Sequence, residues 1–102
     1  MRCLPDFKEK RMCKINKPVI NVAATAINIR SFRIMAGYTV REIQKIFNFS
    51  SPQAIYNWES GKDIPSIDNL IIISSIYHKS IEDILVVSEV EVECEIGERS
   101  SA

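Results

Sequence analysis

The sequence predicts an all-α fold: a compact bundle of five short helices, with at most a short β element from the N-terminal and C-terminal segments. Three observations carry this reading. Between residues 25 and 87, apolar residues recur three and four apart, the period of a helix with one buried face. Residues that start helices (Thr25, Thr39, Ser51, Ser66, Ser80) open five stretches, and Gly37, Asn48 and Gly61 close three of them. The connections are roughly two to six residues long, as in helical bundles. The chain has 102 residues, 46% hydrophobic and 25% charged, the profile of one soluble domain.

The elements follow in order. Residues 1–18 are basic, interrupted by Pro5 and Pro18, and read as a mostly irregular arm. Val19–Val22 is long enough for a short strand. Thr25 is the expected N-cap of the first helix, which turns Ile29, Phe32 and Ala36 inward and ends at Gly37. Thr39 with Glu42 forms a capping box. It opens a second helix with Ile43, Ile46 and Phe47 as its stripe, ending near Asn48. Ser51 followed by Pro52 predicts a third helix over 52–59, with Ser51 as cap and Pro52 as its first residue. Ser66 caps a fourth helix, with Asp68 favourable in its first turn and Leu70, Ile73, Ser74 and Tyr77 inward. His78-Lys79 is a turn. Ser80 caps a short fifth helix with Ile81, Ile84 and Leu85 inward.

Residues 89–96 change period. Val90, Val92, Cys94 and Ile96 alternate with Glu89, Glu91, Glu93 and Glu95, a strand pattern with one acidic face. Three fates are open to it: disorder, pairing with Val19–Val22, or pairing with a second chain. Residues 97–102 read as a disordered end. The domain organisation is therefore a basic arm (1–24), a helical domain (25–87) and an acidic tail or strand (88–102).

Net charge is zero, which excludes the disordered class. The zero hides a gradient. Residues 1–62 carry eleven Lys/Arg against four Asp/Glu, and residues 63–102 carry two against nine. Such asymmetry fits nucleic-acid contact at one end, or simply two solvated surfaces. Residues 25–87 alone balance, six basic to six acidic. Cys3, Cys13 and Cys94 lack zinc spacing and read as free thiols. The single His78 has no ligand partner nearby, no phosphate loop or nucleophile–base set is present, and no metal, cofactor or enzyme activity is expected. No apolar run is long enough to span a bilayer and no secretory signal is evident, so a cytoplasmic protein without membrane contact is expected.

The informative piece is the tandem of helices 39–47 and 52–59. On the second, Ala54, Ile55 and Trp58 share an inward face. Gln53, Tyr56, Asn57 and Ser60 lie opposite, with Ser51 at the edge. Gln53 and Asn57 are four apart and so share one exposed side. Their amides are the groups that pair bidentately with adenine N6 and N7 in the major groove. Trp58 belongs in the core at this spacing.

Residues 25–87 resemble the phage repressor/Cro-type helix-turn-helix domain, the XRE family. The resemblance rests on Ile29–Arg33, Gly37–Thr39, Gln53–Gly61, Pro65–Leu70 and Ser80–Leu85 taken together. It implies a repressor-like fold and assigns base-reading positions to Gln53 and Asn57 and to Pro52, which is limited to packing on a thymine methyl; Ser51, at the edge of the same exposed face, is counted with them. It also implies a structural ion pair between Arg33 and Glu59, tying the first helix to the reading helix. Three departures stand out. Val40 replaces the family's usual phosphate-contacting Gln, leaving Thr39 and Arg41. Gln44 replaces a common Ala. The turn at 48–51 is one residue longer.

The function expected is sequence-specific double-stranded DNA binding in transcription regulation, as a homodimer on two half-sites. Phosphate contacts are expected from Thr39, Arg41, Arg30, Lys45, Tyr56, Lys62 and the backbone at Ser66. The alternative is a protein-interaction module or antitoxin-like partner using the same fold.

Overall fold

Side-chain caps set the starts of four of the five helices among the described residues. The computed structural model describes residues 11–96. The elements are β1 (Arg11–Ile20), α1 (Val22–Ala36), α2 (Val40–Phe47), α3 (Gln53–Ser60), α4 (Ile67–Tyr77), α5 (Ile81–Ile84) and β2 (Val87–Ile96). They fall into two units: Ile20–Val87 with the helices, and the terminal segments with the strands.

α1 starts earlier than the sequence suggests. Its N-cap is Asn21, whose side chain accepts from the Ala24 N–H at 3.1 Å. Thr25 is not the cap. It is buried, and its hydroxyl accepts the Val86 N–H at 3.0 Å, while the Asn21 N–H donates to the Val86 carbonyl at 2.7 Å. The Thr25 oxygen is thus engaged by the chain that follows α5, and Asn, an equally strong cap, takes over three residues upstream.

At α2 both halves of the capping box form. The Glu42 N–H donates to Thr39 Oγ1 at 3.1 Å, and the Thr39 N–H donates to Glu42 Oε1 at 2.8 Å. α3 begins at Gln53 rather than Pro52. Pro52 is itself the cap residue: its carbonyl accepts the Tyr56 N–H, and Ser51 Oγ accepts the Gln53 N–H at 3.3 Å. Ser66 and Ser80 cap α4 and α5. Left-handed residues end the first four helices: Gly37, Asn48, Gly61 and His78.

The core of the helical unit joins Ile29 (α1), Ile43 (α2), Ile55 and Trp58 (α3), Leu70, Ile73 and Tyr77 (α4) and Ile84 (α5). Ile46, expected inward, is 47% exposed. Eight residues of helix bury only a narrow stripe, and Val40, Ile43 and Phe47 fill it.

The terminal unit is a two-stranded antiparallel sheet of β1 and β2. Residues 11–20 are therefore a strand and not an irregular arm, and Val22 belongs to α1. The acidic–apolar segment pairs within its own chain, but with a longer partner than Val19–Val22. Alternation places Cys13, Ile15 and Val19 on one face of β1, and Val90, Val92 and Cys94 on one face of β2. All four glutamates of β2 are exposed. A two-stranded ribbon leaves each strand a free edge, which accommodates Pro18. Cys13 is buried and disulfide-bonded, which corrects its reading as a free thiol; Cys94 is free. The rest of the arm, with Cys3, and the expected disordered end lie outside the described residues.

Candidate nucleic-acid interface

Two short helices and the turn between them form the site, and local bonds fix the turn. Asn48 adopts φ 59° and its N–H reaches back to the carbonyls of Gln44 and Lys45. The Phe49 N–H donates to the Gln44 carbonyl at 3.1 Å. Gln44 Nε2 in turn donates to the Phe49 carbonyl at 3.2 Å. Gln44 thus clamps the longer turn, a role an Ala at this position lacks.

Aromatic packing fixes the turn against α3. Phe47 and Phe49 stack at 5.0 Å, and Trp58 meets them edge-on at 5.4 and 5.9 Å. Trp58 is 5% exposed and belongs to the core. From the other side α3 is tied to α1 by a bidentate pair. Arg33 Nε donates to Glu59 Oε2 at 2.6 Å and Nη2 to Oε1 at 3.1 Å, while Nη1 donates to the Tyr38 carbonyl at 2.9 Å. The two side chains are 11% and 8% exposed. Hydrogen bonding to Glu59 raises the Arg33 pKa above its usual value despite the opposing effect of burial.

α3 carries its amides outward. Gln53 is exposed and Asn57 half-buried. Gln53 Nε2 donates to Asn57 Oδ1 at 3.0 Å, so the two amides form one unit. The chain of bonds continues beyond the helix. Asn57 Nδ2 donates to Asp63 Oδ2 at 3.3 Å. Asp63 was not among the sequence-derived site residues. Its place depends on the turn at Gly61 and is not written in helical spacing.

Tyr56 is 51% exposed and, with Val40, lines two clefts. One is lined by Val40, Arg41, Gln44, Lys45, Pro52 and Tyr56. The other includes Arg30, Arg33, Tyr56, Glu59 and Ser60. Arg41 and Lys45 thus share one cleft with Tyr56, and Arg30 shares the other. Thr39 Oγ1 is engaged in the capping box but retains its own O–H donor. Ser51 is exposed at the entrance of α3. Lys62 and Ser66 line neither cleft. Both are exposed in and beside the loop to α4, and the Lys62 N–H donates to the Asn57 carbonyl at 3.0 Å.

The helix-turn-helix family matches residues 29–84, from mid-α1 to the end of α5. The chain belongs to this family, in its XRE type. No curated protein and no solved structure matches the chain. In this helix-turn-helix protein α2 and α3 are the tandem pair, and the family's general activity is DNA binding in transcription regulation. Among the described residues, no helix is long and apolar enough to cross a membrane.

Proposed function

We propose that the protein binds double-stranded DNA sequence-specifically, as a transcriptional regulator that lays α3 in the major groove. The observation that carries this reading is the hydrogen-bonded Gln53–Asn57 amide pair, on a helix whose Tyr56 lines two clefts with Arg30, Arg41 and Lys45 and whose aim is fixed by Trp58 and by Arg33–Glu59. Gln53 and Asn57 read base edges. Ser51 adds a hydroxyl, and Pro52 packs against a thymine methyl. Arg30, Arg41, Lys45, Tyr56, Thr39 and Lys62 contact phosphates, together with the backbone at Ser66. One such domain reads few bases, so two copies bind two half-sites about 34 Å apart.

Selection from a random duplex pool at low salt tests this. A defined motif is expected. Gln53→Ala is then expected to cost about 1–3 kcal/mol on that motif and to relax one base pair. Equal weakening on every duplex refutes the base-reading role. The balanced charge of residues 25–87 favours a second reading, a protein-interaction module. Failure to retain any duplex at low salt supports that alternative.

A further inference from the structure

The geometry points to Asp63 as a positioning residue that sets the polarity of the reading amides and makes Gln53 selective for adenine over guanine. This inference rests on the reading of α3 as the base-reading helix. It begins with the turn after α3. Gly61 takes φ 84°, a conformation that Cβ-bearing residues disfavour. The chain then doubles back, so that the Lys62 and Asp63 N–H groups both donate to the Asn57 carbonyl, at 3.0 and 3.3 Å. The same doubling back sets the Asp63 carboxylate beside the Asn57 side chain.

A carboxylate only accepts hydrogen bonds, whereas an amide has a donating and an accepting end. Facing Asp63, Asn57 must present its nitrogen. Its oxygen is then turned toward Gln53, and Gln53 must answer with its own nitrogen, as the 3.0 Å contact shows. One carboxylate thus orients two amides in sequence.

The consequence falls on the DNA face. One of the two Nε2 hydrogens of Gln53 is engaged by Asn57. What remains is one N–H and the oxygen Oε1, a donor beside an acceptor. Adenine offers the complement, N7 to accept and the N6 amino group to donate. Guanine offers two acceptors, N7 and O6, and leaves Oε1 facing O6. Without Asp63, Asn57 turns over at little cost, and Gln53 is free to reverse or to present both hydrogens. Guanine is then tolerated.

Two measurements test this with the full chain. The first is the adenine-to-guanine affinity ratio at the base pair that Gln53→Ala relaxes. A bidentate contact discriminates by roughly 5- to 150-fold. Asp63→Asn, similar in shape but able to donate, is expected to lower the ratio by about threefold or more. Loss of one negative charge strengthens binding to both duplexes alike, so the ratio separates orientation from electrostatics. In an Asn57→Ala background, Asp63→Asn is expected to leave the ratio unchanged. An unchanged ratio in the native background, or an equal drop in both, overturns the proposal.

The second measurement is the side-chain amide NMR spectrum of the free protein. Asp63→Asn is expected to shift the NH2 signals of both Asn57 and Gln53. A Gln53 signal that stays in place overturns the relay, whatever the DNA result. If the native protein shows no base preference at all, the base-reading function fails, and this spectrum still decides whether Asp63 orients the amides.

Discussion

Removing Glu59 isolates the energetics that aim the third helix. In Glu59→Gln the shape remains, but an amide NH2 is brought against the donating guanidinium of Arg33. Arg33 is 11% exposed and keeps the Tyr38 carbonyl and a single amide oxygen as acceptors, with its other donor facing the NH2. Breaking a buried pair from one side costs about 3–5 kcal/mol. The residual exposure of both partners puts this site near the lower figure, about 3 kcal/mol. A unit of this length has roughly 3–10 kcal/mol in all, at about 0.05–0.15 kcal/mol per residue, so the variant is expected to lose about a third or more of its stability. The double variant Arg33→Met with Glu59→Leu removes both charges and strands only the Tyr38 carbonyl. It is expected to lie within about 1–2 kcal/mol of the native protein. Urea unfolding followed by circular dichroism measures both, given an unchanged m-value. A single variant that loses less than about 1 kcal/mol refutes the reasoning, because the pair would then behave as a solvated one. A double variant as unstable as the single one refutes it too.

Three further outcomes are expected. Trp58→Ala opens a cavity under Phe47 and Phe49 and costs about 3–5 kcal/mol; an unchanged thermal midpoint contradicts the core position. Lys62→Ala weakens every duplex about equally and lowers the salt slope by about 0.9; a slope equal to native removes Lys62 from the phosphate contacts. Burial, reinforced by the Glu59 charge, raises the Tyr77 pKa well above its usual value. The unfolded chain therefore ionises Tyr77 first, and this contribution is intact below about pH 10 and lost as pH rises beyond it, by at most about 1.4 kcal/mol per unit. Tyr77→Phe is expected to remove that part of the alkaline destabilisation, and a parallel decline in both proteins excludes it.

What could be read from the sequence was what local chemistry decides. The Thr39–Glu42 box and the Ser66 and Ser80 caps close within one turn of helix, so the residues themselves announce them. The Gln53–Asn57 pair follows from four-residue spacing alone. Thr25 misled because its competitor for the hydroxyl, the Val86 N–H, comes from the far end of the helical unit. β1 was illegible for the same reason: its ladder partner is at the opposite end of the sequence, and Pro18 argued against a strand. Asp63 required a left-handed turn at Gly61 to come back against α3. Apart from Ile46, which helical period alone placed inward, these misses were long-range contacts or a turn outside helical period, and Asp63 is such a miss beside the proposed reading face.

Zero net charge in a DNA-binding domain is less puzzling once the charges are sorted by what they touch. Arg33 and Glu59 neutralise one another inside the domain and offer nothing to a phosphate. Lys79 lies 5.0 Å from the Phe32 ring centroid, on the lining of a different cleft from those flanking Tyr56. Glu82 and Asp83 sit on α5, outside the α2–α3 pair, and Asp68 supports the first turn of α4. Around α2 and α3 this leaves Arg30, Arg41, Lys45 and Lys62 exposed, against Glu42, committed to the capping box, and Asp63, bonded to Asn57. The local balance is positive but small. On the proposed function, a modest electrostatic term lowers affinity for all duplexes alike, which puts more of the binding on base contacts. With so little charge to hold the wrong site, the proposed reading of bases by Gln53 and Asn57 would depend more on a rigid and correctly oriented amide pair than it would in a strongly basic domain.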